Sequence, residues 1–178
     1  EPEHSFRWYE HDYPYPMARW NHHPEFEIHL IRQGSGKLLA GDYIGPFGPG
    51  HVAMIGPDLP HDWMGDLASG EHLPGRDVVL QFDGATLLTL RRTLPELGDL
   101  QGLFERSRRG LAFSGTTARQ AAHLLEAIGP AQGLARLVLF LELLHTLNHA
   151  PGDEALSLAS PCYAPTLDAR SSERIHKA

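Results

Sequence analysis

Residues 20–36 read WNHHPEFEIHLIRQGSG. Phe26, Ile28 and Leu30 alternate with Glu25, Glu27 and His29, the period of a β-strand with two unlike faces, and GSG then supplies a turn. Downstream the same grammar repeats. Lys37–Ala40 reads as a second strand, Gly41-Asp42 as a hairpin turn and Tyr43–Phe47 as a third strand; HVAMI, GPDLPHDW and DVVLQF follow, separated by Gly and Pro. Many short strands at this spacing predict an all-β sandwich or small barrel.

The second half changes period. Pro95–Arg109 places apolar residues at helical spacing, with acidic residues early, basic residues late and Gly110 beyond, so it predicts one helix. LAF (residues 111–113) reads as a returning strand. Ser114–Thr117 offers caps for a helix over Ala118–Ile128, ended by Gly129-Pro130. A last helix over Ala131–His149 is the most apolar stretch: Leu134, Leu137, Leu141, Leu144 and Asn148 step three and four residues at a time, while Leu139, Phe140, Leu143 and Leu147 form a second apolar face. Two apolar faces need two partners: one face is expected to cover the strands or the preceding helix and the other to meet a second protomer, the alternative being burial of both faces within the monomer. Residues 150–172, rich in Pro, Asp, Ser and small residues, read as a linker. The expected organisation is therefore a mainly β chain with an α appendage: a ligand-binding barrel with a peripheral helix over 1–113, a two-helix dimerisation segment over 114–150 and a linker over 151–178.

A chain of 178 residues supports one well-cored domain and not two full ones. Its net charge of −7 argues against a broad cationic surface for nucleic acid, and the runs Arg91-Arg92 and Arg106–Arg109 read as helix-capping or solvated charge. The single cysteine, Cys162, has no partner for an internal disulfide, which fits a reducing compartment. No run approaches the ~20 apolar residues of a membrane span and no leader opens the chain, so a cytoplasmic location and no membrane partner are expected. The start at Glu1 and the end at RIHKA, where a helical pattern begins, suggest a piece of a longer protein.

Side chains two apart on a strand share a face, which groups Asn21, His23, Glu25, Glu27 and His29 and sends His22 to the other side. Imidazole and carboxylate converging at about 2.0–2.2 Å suit a divalent transition metal, and His61 in GPDLPHDW is the natural third ligand from a neighbouring strand.

HHPEFE, GSG, PFGPG and GPDLPH resemble the two motifs of the cupin superfamily, a small double-stranded β-helix (jelly-roll) barrel whose metal-binding members use His-x-His, a downstream Glu and a later His. More closely, WNHHPEFEIHLIRQGSG with GDYIGPFGPGHVAMIGPDLPHDW (residues 41–63) is similar to the N-terminal sensing domain of AraC-family transcriptional regulators. DVVLQF, the PEL helix, RRGLAFSG, the two apolar helices and even SSERIHKA follow the order of that family. The resemblance implies a non-enzymatic sensor that binds a small molecule, more often a sugar or related carbon source than a metal ion. It also implies a homodimer, with DNA bound only through a C-terminal region of two helix-turn-helix units that this chain lacks.

Carried over residue by residue, the cupin metal positions fall on Asn21, His23, Glu27 and His61. Asn21 departs from the pattern, which has His there, and His22 would substitute only across a bulge. Asp62 would support the last histidine from behind. Two readings stay open for His23, Glu27 and His61: an open site for Zn, Ni or Fe, or a polar pocket that hydrogen-bonds its ligand directly. Glu25, with aromatics such as Trp8, Tyr9, Trp20 and Trp63, would suit a polyhydroxylated molecule, whose hydroxyls pair with carboxylate and imidazole while its apolar faces stack on rings. The competing function is a metal-dependent isomerase or dioxygenase using His23, Glu27 and His61.

Overall fold

The computed structural model describes residues 5–15 and 20–163. Among these residues nine strands fall in two sheets. β1 (Phe6–Tyr13), β7 (Leu73–Phe82), β2 (Phe26–Ile31), β5 (Val52–Ile55), β8 (Leu111–Phe113) and β9 (Ala155–Ser157) lie side by side in that order. β4 (Tyr43–Phe47), β3 (Gly36–Ala40) and β6 (His61–Gly65) form the second sheet. Every pairing is antiparallel. The two sheets remain separate, giving a cupin-like barrel that is not closed.

Two apolar layers explain the order of residues along each strand. Between the sheets pack Ile31, Leu38, Phe47, Ala53, Ile55 and Trp63. On the outer side of the large sheet, Phe26, Ile28, Leu30, Met54, Leu80 and Phe82 pack against the helices. β2 is therefore buried along its whole length, and its polar alternates Glu27 and His29 are carried into the layer between the sheets, not out to water. Where β3 pairs with β6, at Gly36 opposite Gly65, the backbones are so close that a Cβ on Gly36 would lie 2.0 Å from the Met64 carbonyl oxygen; only glycine permits the pairing.

The helices are α1 (Gly84–Leu90), α2 (Gln101–Ser107), α3 (Gly115–Ile128) and α4 (Gly133–Asn148). The single helix expected over 95–109 is instead a 3-10 turn, Pro95–Leu100, followed by α2. Gly98 and Gly102 both weaken the intervening stretch, and the tighter winding answers that. α3 starts three residues earlier than its expected start, and Ser114 makes no side-chain cap. Glu154 does the capping: its carboxylate accepts from Thr116 N and Thr117 N, each at 2.8 Å. The stretch read as linker thus begins with ordered structure, since β9 also covers the edge of β8 and Leu158 and Ala159 are buried. SSERIHKA lies outside the described residues.

α4 buries Phe140, Leu143, Leu144 and Leu147 against α3 and the sheet. Leu144 is thereby taken out of the expected intermolecular seam, and Asn148 donates its side-chain amide to Asp99 O at 3.2 Å within the same chain. Leu134, 73% exposed, and Val138, 54% exposed, form the open face, flanked by the partly buried Leu137 and Leu141. β1 ties the edge of the sheet to the helices: Phe6 stacks on Phe140 at 4.3 Å, and the Trp8 indole donates to Leu125 O at 2.8 Å.

Candidate functional site

The alternation of β2 points Glu27 into the space between the sheets, where it is 6% exposed. Three neighbours converge on its carboxylate. His23, just before β2, folds back so that its Nε2 lies 3.2 Å from Glu27 Oε2, while its Nδ1 is 3.1 Å from the Glu25 carbonyl. His61 opens β6, where a backbone bridge to Asn21 holds it: His61 N donates to Asn21 O at 2.9 Å. Its Nδ1 donates to Leu59 O at 2.8 Å, which fixes the tautomer and turns Nε2 toward Glu27 Oε1 at 3.7 Å. The ligand atoms of His23, Glu27 and His61 all lie within 4.8 Å of one another.

Gln81 is the fourth member. It sits directly across from Glu27 in the β2–β7 register, donates its amide to Glu27 Oε2 at 3.0 Å, and stands 3.4 Å from His23 Nε2. Behind the carboxylate, His29 Nδ1 donates to Glu27 Oε1 at 3.1 Å, and His29 Nε2 lies 3.1 Å from Asp77 Oδ2. Its ring stacks on Trp63 with centroids 3.9 Å apart. Asp77 is gripped in turn by Arg76, whose Nη2 donates at 2.6 Å and whose guanidinium lies 3.9 Å above the Tyr13 ring. Glu27, His29, Asp77 and Arg76 are all buried, so the layer holds a chain of alternating charge in place of a dry core.

The electrostatics follow from that chain. Burial by itself would push the Glu27 carboxyl up, but hydrogen bonds from His23 and His29 and the nearby His61 imidazole hold it well below the usual carboxylate range. Burial opposes charge on His29 too, yet Asp77 and Glu27 outweigh it and raise its pKa; His23 is raised against burial mainly by Glu27. His61 moves the other way, because burial and the two other imidazoles outweigh Glu27. A neutral His61 beside an ionised Glu27 is the state in which both present lone pairs.

The remaining expected residues are placed as follows. Glu25 is half-exposed; its carbonyl holds His23, and its carboxylate lies 3.6 Å from the same ring. Trp20 is exposed and Trp63 is buried on His29. Trp8 is committed to Leu125 on the helix side. His22 turns to Asp58, Nδ1 to Oδ1 3.5 Å, so it does not join the cluster, and no bulge brings it there. Asp62 lies between the inward-facing His61 and Trp63 of β6 and is directed outward. Gln81, Asp77 and Arg76 were not among the expected residues. The only sequence signal for two of them is the even spacing Asp77, Val79, Gln81 inside an otherwise apolar run, which puts two polar groups on one face.

Residues 3–147 match the family model of the AraC-like ligand-binding domain. No curated protein sequence matches the chain significantly. Among solved structures, the AraC-like transcriptional activator CuxR shares 15% identity over 96% of this chain and 56% of its own, with a TM-score of 0.47. An apo point variant of ToxT from Vibrio cholerae shares 15% over 80% of this chain and 54% of its own, at 0.49; another ToxT structure from that organism shares 12% over 95% and 63%, at 0.44. The chain thus spans less than two thirds of the length of each. The match over 3–147 covers most of the sequence, and the chain belongs to the AraC-like ligand-binding domain family of transcription regulators.

Proposed function

We propose that this chain senses a polyhydroxylated small molecule, a sugar or a related carbon source, in the layer between its two sheets, and that it dimerises through α4. DNA would be bound by a separate helix-turn-helix region of the longer protein, acting in the cytoplasm. Among the described residues no helix is long and apolar enough to cross a membrane.

One observation carries the choice of ligand. The side chains gathered at the site are His23, Glu27, His61 and Gln81, which offer donors and acceptors at several angles, with Trp20 exposed beside the bridge that holds His61. Such a lining matches hydroxyl groups. One ToxT structure is of the protein bound to an unsaturated fatty acid; an acyl tail placed in this layer would meet Glu27, His29, Asp77 and Arg76, and would strip buried charges of partners at a cost of several kcal/mol. The same donors also fit a divalent Zn, Ni or Fe ion, because His61 and His23 each engage a carbonyl through Nδ1 and aim Nε2 at Glu27. A bound ion would supply a Lewis-acidic centre with open positions for an oxygen ligand. We assign no turnover to the site. An effector of this kind would act by binding one arrangement of sheets, helices and linker more tightly than another, since equal affinity for both shifts nothing.

The test is a thermal-shift and calorimetric screen of mono- and oligosaccharides beside medium- and long-chain fatty acids. A saturable shift with one sugar class, abolished in His61→Ala, is expected. A shift with fatty acids only, or a sugar response that His61→Ala leaves intact, refutes the assignment.

A further inference from the structure

Gln81 reaches the donor set from the neighbouring strand, beside a metal-binding pattern that is one histidine short. Asn21 occupies the position at which a histidine is wanted, with its backbone bridged to His61, and a second amide reaches the donor set from another strand. β7 supplies it. The Gln81 amide nitrogen is 3.0 Å from Glu27 Oε2 and 3.4 Å from His23 Nε2, while Glu27 Oε2 lies 3.2 Å from His23 Nε2 and the other carboxylate oxygen, Oε1, 3.7 Å from His61 Nε2. Four donors around an ion at about 2.1 Å stand roughly 3.4 Å from one another. The separations among Gln81, His23 and Glu27 Oε2 are already close to that size, and the ligand atoms of His23, Glu27 and His61 lie within 4.8 Å of one another.

From this geometry we infer that Gln81 is the fourth metal ligand of the barrel, binding through its amide oxygen. The inference rests on the metal-holding version of the site described above. In the metal-free arrangement the amide N–H satisfies Glu27; with an ion present, a half-turn of the amide puts Oε1 where Nε2 now lies, with almost no change of shape. The side chain is thus a donor to the carboxylate in one state and a ligand beside it in the other. The resulting set, two imidazoles, one carboxylate and one amide, carries a single negative charge and suits a divalent ion of the Zn, Ni or Fe type more than a hard cation that wants all-oxygen coordination.

The experiment titrates the metal-stripped 178-residue chain with Co(II) alone, read by calorimetry and by the visible d–d absorption, which reports coordination geometry. Wild type is expected to bind one Co(II) per chain. Gln81→Ala should weaken binding by about 10–100-fold and change the absorption band. Gln81→Glu separates a ligand from a mere hydrogen-bond donor: it faces Glu27 with a second carboxylate and lowers the melting temperature of the metal-free protein, yet it should bind Co(II) at least as tightly as wild type. Gln81→Asn, which retracts the amide by one methylene, serves if Gln81→Ala does not fold, and should also lose affinity. If Gln81→Ala, or Gln81→Asn in its place, keeps wild-type affinity and spectrum, or if Gln81→Glu binds more weakly, the role of Gln81 is overturned. If wild type binds none of Co(II), Ni(II) or Zn(II), the whole inference falls; a saturable sugar shift in that same metal-free protein would leave the effector reading standing.

Discussion

Replacing Leu134 and Val138 together by Glu should abolish dimerisation without unfolding the protomer. Both side chains lie on the open face of α4, 73% and 54% exposed, and neither belongs to the buried core. Burying a Leu or Val side chain is worth about 1.5–3 kcal/mol, so covering the exposed parts of these two on both protomers of a twofold dimer contributes about 5 kcal/mol. That corresponds to three to four orders of magnitude in Kd. Four carboxylates at such an interface would add repulsion. The assay is sedimentation velocity across a concentration series, with a circular-dichroism melt to confirm that the fold survives. Leu144→Glu is the control with the opposite signature: Leu144 is 0% exposed inside the protomer, and truncation alone at such sites costs about 2–5 kcal/mol, so it should fail to fold or melt far lower. If Leu134→Glu/Val138→Glu sediments as wild type does, or if wild type is monomeric at tens of micromolar, α4 is not the interface and the argument from its exposed face is refuted.

Two further outcomes follow from the layer between the sheets. Trp63→Ala removes the ring that stacks on His29 and leaves a large void, and should cost about 3–5 kcal/mol in denaturant titration; a loss below about 1 kcal/mol would mean that the layer collapses freely. His51, at the start of the β5 segment, is pushed down to about 4, first by burial and then by His29. Its folded pKa lies below its unfolded one, so the unfolded chain takes up the proton first, and stability falls as pH drops from about 6.5 to about 4, by about 3 kcal/mol for this group. The difference between wild-type and His51→Asn stability curves over that window should show the slope; parallel curves would contradict it.

Most of the strand positions along the chain were legible because glycine and proline mark the turns between them and because Phe26, Ile28 and Leu30 alternate cleanly with Glu27 and His29. What could not be read is what the third dimension decides. FRWYEHDY carries aromatic and charged residues on both of its faces, and it becomes β1 only because the edge of β7 is there to pair with it. The cap of α3 comes from Glu154, 37 residues downstream of Thr117. His23, Glu27 and His61 could be grouped from strand period and motif resemblance, but Gln81 could not. Its place opposite Glu27 depends on the β2–β7 register, and no local pattern sets the pairing of strands so distant in the chain. In the seam of α4 only Leu144 and Asn148 depart from the expectation, for a similar reason: periodicity reports that two faces are apolar and is silent on which of them the rest of the chain will cover.

The same alternation that gathers the site also connects it to the helices. Glu27 and Gln81 face one another inside the barrel, and the residue beside each, Phe26 and Phe82, points through the sheet to the other layer. There the two rings stack at 5.3 Å, Phe26 meets Phe104 at 4.7 Å, and Phe82 meets Phe140 of α4 at 5.1 Å. A ligand that draws β2 and β7 toward a common centre must move those rings, because adjacent residues of a strand shift together. Close-packed rings do not absorb such a displacement gradually; they repack. Phe140 lies on the buried side of the helix whose opposite side carries Leu134 and Val138. One strand pair would therefore supply both the chemistry that recognises an effector and the lever that reports its presence at the face of α4 proposed to meet a second protomer.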